Sequence, residues 1–180
     1  MKLLLLSGSF HSKSRSIAIL KALKGYFPEH QYILPELNSL PFYCEDLAKD
    51  KPENILQLIE DVETSDGIIV CSPEYNHSVP AVVKNAIDWV SRPAFNSCLK
   101  GKPVTIITQA NSPVGGARAQ AHFKLVFDST ISAIHPVHEM TITGVDSVFN
   151  AEFEIVDATV EERLKRHMTS FVEFIDDRNS

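Results

Sequence analysis

The residues best suited to chemistry lie in a polar segment that follows an apolar run near the middle of the chain. The apolar run is Gly67–Cys71, and the polar segment opens with Pro73-Glu74-Tyr75-Asn76. Tyr75 offers an aromatic face for stacking, and the amide of Asn76 both donates and accepts hydrogen bonds. In an open α/β sheet, a loop of this kind after a buried strand is typical of a site for a planar ligand that carries phosphate.

A second polar segment, Ser7–Ser16, follows the apolar residues Leu3–Leu6 and precedes a helix-like stretch. Its hydroxyl and basic side chains are Ser9, Ser12, Ser14 and Ser16, interspersed with His11, Lys13 and Arg15. Because backbone amides at a helix start attract anions, the segment is a candidate phosphate site, and with the aromatic loop it indicates a flavin. It matches neither a nucleoside-triphosphate loop nor a dinucleotide fingerprint. The alternative is a solvated turn that caps the next helix.

A third segment, Gln109–Arg118, contains Gly115 and Gly116 just before another helix-like stretch. Adjacent glycines allow the backbone to approach a ligand closely, although a tight strand-to-helix turn uses them equally well. The middle segment has a similar alternative, in which Tyr75 packs locally and Ser78 caps the helix that follows. We refer to Ser7–Ser16, Ser72–Pro80 and Gln109–Arg118 as the first, second and third loops.

The composition is that of an ordinary globular protein. The chain has 180 residues, 22% of them charged and 44% hydrophobic, with a net charge of −6. We therefore expect one domain over residues 1–180 and no general surface for nucleic acid or anionic membrane. The apolar N-terminal run of four leucines is too short for a signal peptide or a membrane span, which predicts a cytoplasmic protein.

The cysteines and histidines indicate no metal chemistry. Cys44, Cys71 and Cys98 form no CxxC pair, and the seven histidines show no HxxxH or HExxH spacing. Neither a metal site nor a disulfide framework is predicted. Cys71 lies within an apolar run, so we expect a small core residue and not a nucleophile.

Hydrophobic patterning predicts strands and helices in alternation. The predicted strands are Leu3–Leu6, Gln31–Leu34, Gly67–Cys71, Pro103–Thr108 and Val137–Thr143. The predicted helices are Ser16–Tyr26, Pro52–Thr64, Pro80–Ser91, Ala117–Ser129 and Val160–Asp176. Pro35–Lys51 is predicted to be a long loop, and the acidic stretch Gly144–Ala158 has no assigned element.

These elements predict an α/β fold. Strands that are apolar throughout are covered by helices on both faces, and right-handed crossovers then produce a parallel sheet. The expected architecture is a flavodoxin-like, doubly wound, five-stranded parallel sheet with helices on both faces. Because the three loops follow strands one, three and four, they should meet at the carboxyl edge of the sheet, where such folds bind ligands.

The combination of these segments resembles the NADPH-dependent FMN reductase family, which includes quinone, chromate and azo-dye reductases. The resemblance runs from Leu3 to about Ile175 and is most specific in Pro73–Pro80, Lys84–Trp89 with Ser91-Arg92, and Gly115–Arg118. The phosphate-loop pattern of the family, Gly-Ser-x-Arg-x-x-Ser-x-Asn, aligns with Gly8–Ser16. In this alignment His11 replaces the arginine, Ser16 replaces the asparagine, and Ala81 occupies a position where glycine is usual.

The resemblance implies an enzyme that binds FMN non-covalently and oxidises NADPH or NADH. Hydride would pass to flavin N5, and a flavin, quinone or similar acceptor would then take its place in a ping-pong cycle. The implied cofactor-binding residues are Ser9, His11, Ser14, Arg15 and Ser16 at the phosphate, Pro73, Glu74, Tyr75, Asn76 and Ser78 at the ring edge, and Gly115 and Gly116 at the pyrimidine side. No side chain needs to act as acid or base, so no catalytic residue is predicted.

The family also implies assembly into a homodimer or homotetramer, for which Phe95 is a candidate interface residue, whereas Trp89 is expected in the core. Two other functions stay open: a flavodoxin-like electron carrier that does not oxidise NAD(P)H, and a protein that kept the fold and lost the cofactor. The second loop has one aromatic residue, Tyr75, which together with a moderate net charge favours the reductase over the carrier. An α/β hydrolase is disfavoured because no GxSxG motif occurs.

Overall fold

The computed structural model describes all 180 residues and contains six strands and five α-helices. The strands are β1 (Lys2–Ser7), β2 (Gln31–Ile33), β3 (Gly67–Pro73), β4 (Pro103–Gln109), β5 (Ala133–Ile134) and β6 (Met140–Ile142). The helices are α1 (Arg15–Tyr26), α2 (Glu53–Thr64), α3 (Ala81–Val90), α4 (Ala117–Ser129) and α5 (Ala158–Asn179). None of the helices is both long and apolar enough to cross a bilayer.

All strand pairs in the sheet are parallel. The order is β2-β1-β3-β4-β5, and β6 also pairs with β4. This 2-1-3-4-5 order is the flavodoxin-like one. From β1 the chain adds β2 on one side and then β3, β4 and β5 on the other, so the topological switch point lies between the neighbouring strands β1 and β3. The predicted fold class is therefore confirmed.

The fifth position of the sheet differs from the prediction of one strand over Val137–Thr143. β5 pairs with the start of β4 and β6 with its end, and residues 135–139 between them leave the sheet. Pro136 has no N–H to donate to the ladder, and the amide of Val137 turns back to the carbonyl of His135. The predicted strand was thus wrong in its first residues and right from Met140 to Ile142.

The sheet separates two hydrophobic cores. On one face Leu3, Leu5 and Ile69 pack against α1 and α5, and on the other Leu4 and Ile68 pack against α2, α3 and α4. Alternate residues of each central strand therefore supply opposite cores, which is why these strands are apolar throughout. This arrangement of one sheet between two helical layers holds the carboxyl ends of β1, β3 and β4 at a fixed separation.

Two single-residue expectations about the core are confirmed. Trp89 is fully buried, its indole N–H donates to the carbonyl of Pro41 at 2.8 Å, and its ring meets that of Tyr43 edge-on at 5.1 Å. Cys71 is fully buried as well. Burial raises the pKa of its thiol to about 12, so the thiol stays protonated at neutral pH and is not a nucleophile.

Candidate functional site

The three loops meet at the carboxyl edge of the sheet. The Gly8 amide donates to the carbonyl of Cys71 at 2.9 Å, which holds the start of the first loop against β3, directly before the second loop. The side chain of Gln109 donates to the hydroxyl of Ser16 at 3.2 Å, which connects the third loop to the first. Glu74 of the second loop accepts from the backbone of α4, just beyond the third loop. The predicted juxtaposition of the loops is therefore present in the structure.

The contact between the first two loops is possible only with glycine at position 8. A Cβ atom on Gly8 would lie 2.0 Å from the hydroxyl oxygen and 2.7 Å from the Cβ of Ser72. The chain can thus leave β1 and pass directly over the end of β3 because Gly8 has no side chain. This crossing fixes where the first loop begins relative to β3.

Serine side chains organise the first loop from within. The hydroxyls of Ser7 and Ser14 both donate to the carbonyl of Ser9, at 2.8 and 3.3 Å. Ser14 is also the N-cap of α1, since its hydroxyl accepts from the amide of Ile17 at 3.2 Å. These three serines are buried, so they hold the loop in shape. The amides of Phe10 and Ser12 have no acceptor within the protein.

His11 is exposed on this loop, and its ring orientation is fixed by the chain. The amide of Lys13 donates to Nδ1 of His11 at 3.0 Å, so a neutral His11 carries its proton on Nε2. That N–H is free to donate outward. With the two unpaired amides and the helix start, the loop offers several donors to an anion.

Arg15 and Ser16 are directed elsewhere than the other predicted phosphate residues. The guanidinium of Arg15 lies 3.2 Å from Asp146 and 4.4 Å from the ring centroid of Phe153, so its contacts are with the segment after β6. Ser16 is fully buried and accepts the hydrogen bond from Gln109. In their present positions, both side chains connect α1 to neighbouring elements.

The second loop forms a tight turn. The amides and carbonyls of Tyr75 and Ser78 pair reciprocally, at 3.1 and 2.9 Å. The two residues between them, Asn76 and His77, have positive φ angles of 49° and 63°, as in a type I′ turn. Tyr75 is 53% exposed and Asn76 is exposed, so both project from the edge and are available for contact with a ligand.

Glu74 fastens the second loop to helix α4. Its carboxylate is 10% exposed and accepts from the amides of Arg118 and Ala119 at 3.0 and 3.1 Å. The guanidinium of Arg118 and the ring of His77 lie 3.4 Å away. Burial alone would raise the pKa of Glu74, but the hydrogen bonds from Ala119 and Arg118 outweigh it and lower that pKa. Glu74 is therefore ionised and caps α4 from another loop.

The glycines of the third loop have a structural requirement of their own. Gly115 and Gly116 have φ angles of +57° and +83°, and both are buried. A Cβ on Gly116 would lie 3.0 Å from that of Thr108, and one on Gly115 would lie 3.1 Å from that of Thr141. The pair thus brings the start of α4 down onto the ends of β4 and β6. The alternative of a tight strand-to-helix turn describes them well.

No local sequence pattern singles out two further contacts of this edge. The hydroxyl of Ser78 shares a 2.9 Å hydrogen bond with Nδ1 of His122 on α4, so Ser78 does not cap α3. Asn111 exchanges hydrogen bonds with Asp146 and ties the third loop to the segment after β6. Both partners lie more than thirty positions away along the chain. Only the predicted meeting of the loops could have suggested such pairs.

The residues at this edge fit a phosphate-bearing planar ligand. Free amides, the Nε2–H of His11 and the start of α1 suit an anion, and the exposed Tyr75 and Asn76 suit an aromatic heterocycle. Beside the first loop, Ser7, Ser9 and Phe10 line a cavity of about 420 Å³ that reaches Val82 on α3. The edge can therefore contact both the phosphate end and the ring end of such a ligand.

Comparisons with known proteins agree with this chemistry. Residues 1–145 match the model of a family described as NADPH-dependent FMN reductase. The chain is 30% identical to a 2-hydroxy-1,4-benzoquinone reductase from a Burkholderia species, over 99% of this chain and 98% of that protein. It is 33% identical to an NAD(P)H-dependent FMN reductase from Pseudomonas aeruginosa, over 93% and 91%. The solved structure of FerB, a flavoenzyme NAD(P)H:(acceptor) oxidoreductase from Paracoccus denitrificans, superposes with a TM-score of 0.90 at 29% identity, covering 98% of this chain and 97% of FerB.

Proposed function

The chain belongs to the NADPH-dependent FMN reductase family, and we propose that the edge formed by its three loops is the site that holds FMN. The protein is an oxidoreductase that uses NAD(P)H and FMN to reduce a flavin, a quinone or a similar acceptor. The observation that supports this site best is the junction of the first two loops at Gly8 and Ser72. It brings an anion-attracting helix start and an exposed aromatic turn to one edge.

We assign the FMN phosphate to the first loop. The amides of Phe10 and Ser12 and the Nε2–H of His11 are its free donors, while Ser9 and Ser14 hold the loop in shape. Arg15 lies beside the loop, where it is paired with Asp146, and Ser16 supports the loop through the hydrogen bond that it accepts from Gln109. His11, which aligns with the arginine of the family pattern, thus supplies one side-chain donor to the phosphate.

The ring system would lie against the second and third loops. Tyr75 and Asn76 project from the turn that follows Pro73, and Glu74 and Ser78 hold this turn against α4. The backbone at Gly115 and Gly116 borders the pyrimidine side of the proposed site. When bound, FMN supplies the redox chemistry by accepting hydride from NAD(P)H and passing electrons to the acceptor. The side chains bind and orient the reactants, and none has to transfer a proton.

We further propose that residues 1–180 form one FMN-binding domain, that the protein acts in the cytoplasm, and that it assembles as a homodimer or homotetramer. Phe95 is a large apolar residue that is 73% exposed, which suits an interface residue. The net charge of −6 supports small-molecule partners over nucleic acid.

Anaerobic reduction of the FMN-loaded protein tests the function. Addition of NADPH or NADH should bleach the absorbance of the bound flavin, and 1,4-benzoquinone should restore it. Bound flavin that neither nucleotide bleaches would indicate an electron carrier instead. A protein that binds no FMN at micromolar concentration would have lost the cofactor, and the proposed function would be wrong.

A further inference from the structure

A second set of polar residues lies around the break in the fifth position of the sheet, away from the three loops. Residues 135–139, which leave the sheet between β5 and β6, open a groove of about 1100 Å³ between α4 and α5. Lys124, Arg163 and Arg166 line it, together with His138 and His167. None of its lining residues belongs to the three loops.

The groove is positively charged although the chain as a whole is acidic. Glu139 is its only lining carboxylate, and it pairs with Lys124 at 2.8 Å. Arg163 donates to the carbonyl of Thr141 at 2.9 Å, and no carboxylate pairs with it. Arg166 is exposed and takes part in no ion pair. These two guanidinium groups lie one helical turn apart, and neither forms an ion pair with a carboxylate.

The floor of the groove is a chain of hydrogen bonds that includes two buried histidines. The hydroxyl of Thr105 on β4 lies 3.1 Å from Nδ1 of His135 and 2.7 Å from Nε2 of His167. Nε2 of His135 lies 3.1 Å from the hydroxyl of Ser170. Both histidines are buried, and burial lowers the pKa of each to about 4, so both are neutral at pH 7.

This arrangement couples the proton positions of the two rings. The Thr105 hydroxyl has one proton, so it donates to one ring and must accept from the other. If it donates to His135, then His167 donates from Nε2 and presents an unprotonated Nδ1. If it donates to His167, that ring carries its proton on Nδ1. Nδ1 of His167 has no partner within the protein, so a ligand in the groove can select between the two states.

We propose that this groove is a second anion-binding site, which takes a phosphate or carboxylate group between Arg163, Arg166 and the Nδ1–H of His167. The guanidinium groups supply charge and donors, and the neutral histidine supplies a donor that needs no protonation. An anion selects the Nδ1–H form of His167, and the Thr105 hydroxyl and His135 readjust with it. The site is independent of FMN, because it shares no residue with the three loops.

Nuclear magnetic resonance of the histidine side chains tests this site. Long-range ¹H–¹⁵N spectra would be recorded at pH 7 and constant ionic strength while inorganic phosphate or succinate is added, with and without FMN. The resonances of His167, assigned with a His167→Gln variant, should shift saturably towards the Nδ1–H tautomer in both series. The probe that saturates at the lower concentration identifies the preferred group. Shifts that do not saturate with either probe would overturn the proposal.

A matched pair of charge removals separates binding from general screening. Arg166→Gln should weaken the binding of the preferred probe by about tenfold, as expected for one charge-assisted contact. Lys165→Gln removes the same charge one position away, where the side chain contacts Glu161 and Tyr26 outside the groove, and should leave the binding unchanged. Equal weakening by both substitutions would mean that the anion senses only the net charge, and the assigned site would be wrong.

Discussion

At the scale of single residues, His11 is the departure from the family pattern that bears most directly on the phosphate, since it replaces the arginine of that pattern. The ring accepts from the Lys13 amide through Nδ1, so it offers one donor where an arginine would offer several. A neutral imidazole also supplies no charge. The rest of the loop has to provide most of the attraction for the phosphate through backbone amides and the start of α1.

His11→Arg should therefore tighten FMN binding. A guanidinium adds a permanent charge and a second donor, for which we expect an affinity gain of about tenfold. The dissociation constant can be measured by quenching of flavin fluorescence. Lys13→Arg, two positions away on the same exposed loop, is the matched control and should change the affinity by less than about threefold. An unchanged affinity in His11→Arg would remove His11 from the phosphate site.

Glu74 is the other residue whose role is defined by its contacts. Glu74→Gln keeps the size of the side chain but removes the charge that the amides of Arg118 and Ala119 stabilise. We expect a loss of about 1–2 kcal/mol in the free energy of unfolding, measured with urea, and weaker FMN binding because the second loop loosens. Glu161→Gln removes a more exposed, paired carboxylate from α5 and should cost less than about 0.5 kcal/mol. Equal costs would contradict the capping role of Glu74.

At the scale of elements, the sequence predicts the central part of the fold well and its margin less well. The bounds of β1, β3 and β4 lie within two residues of those predicted, because a strand buried on both faces has an unbroken apolar sequence. The strand at the fifth position of the sheet is harder to predict, because Pro136 interrupts it and its two parts, β5 and β6, are short. The turn Val145–Val148 and the contact of Arg15 with Asp146 depend on packing after β6, for which the sequence gives no local signal.

The junction of β1 with the first loop yields a prediction at this scale. Gly8→Ala would bring a methyl group against Ser72 and should lower the free energy of unfolding by about 1–3 kcal/mol. It should also weaken FMN binding, because the loop must move away from β3. Gly25→Ala in α1 is the matched control, since a Cβ there meets nothing within 4 Å.

Gly25→Ala should stabilise the protein by about 0.5 kcal/mol, because alanine favours the helix, and should leave FMN binding as it is. Thermal unfolding and flavin titration of both variants measure these effects. Unchanged FMN affinity in Gly8→Ala would show that the crossing of the first two loops does not position the cofactor.

At the scale of the whole molecule, the two buried histidines contribute to how stability responds to acid. His135 and His167 have pKa values of about 4 in the folded protein, because burial disfavours their charged forms, against about 6.5 in the unfolded chain. The unfolded state therefore binds more protons between these values. Their stabilising contribution is complete above pH 6.5 and is lost as the pH falls towards 4.

The free energy of unfolding should consequently fall by roughly 2 kcal/mol per buried histidine between pH 7 and pH 4.5. Urea titrations at a series of pH values measure this slope. His167→Gln should reduce the pH-dependent fall in the free energy of unfolding by the roughly 2 kcal/mol expected for one histidine. His138→Gln, at an exposed position, should leave the fall unchanged. An unaltered slope in His167→Gln would mean that folding does not lower the pKa of this ring.

The central claim concerns the whole edge: the first loop holds the phosphate of FMN while the second and third hold its ring. The most direct measurement compares the dissociation constants of FMN and riboflavin, which differ only in that phosphate. We predict that FMN binds at least about thirtyfold more tightly, corresponding to about 2 kcal/mol from the loop. Gly8→Ala should remove most of this difference in affinity between FMN and riboflavin. Equal affinities for FMN and riboflavin would contradict the assignment of the first loop as the phosphate site.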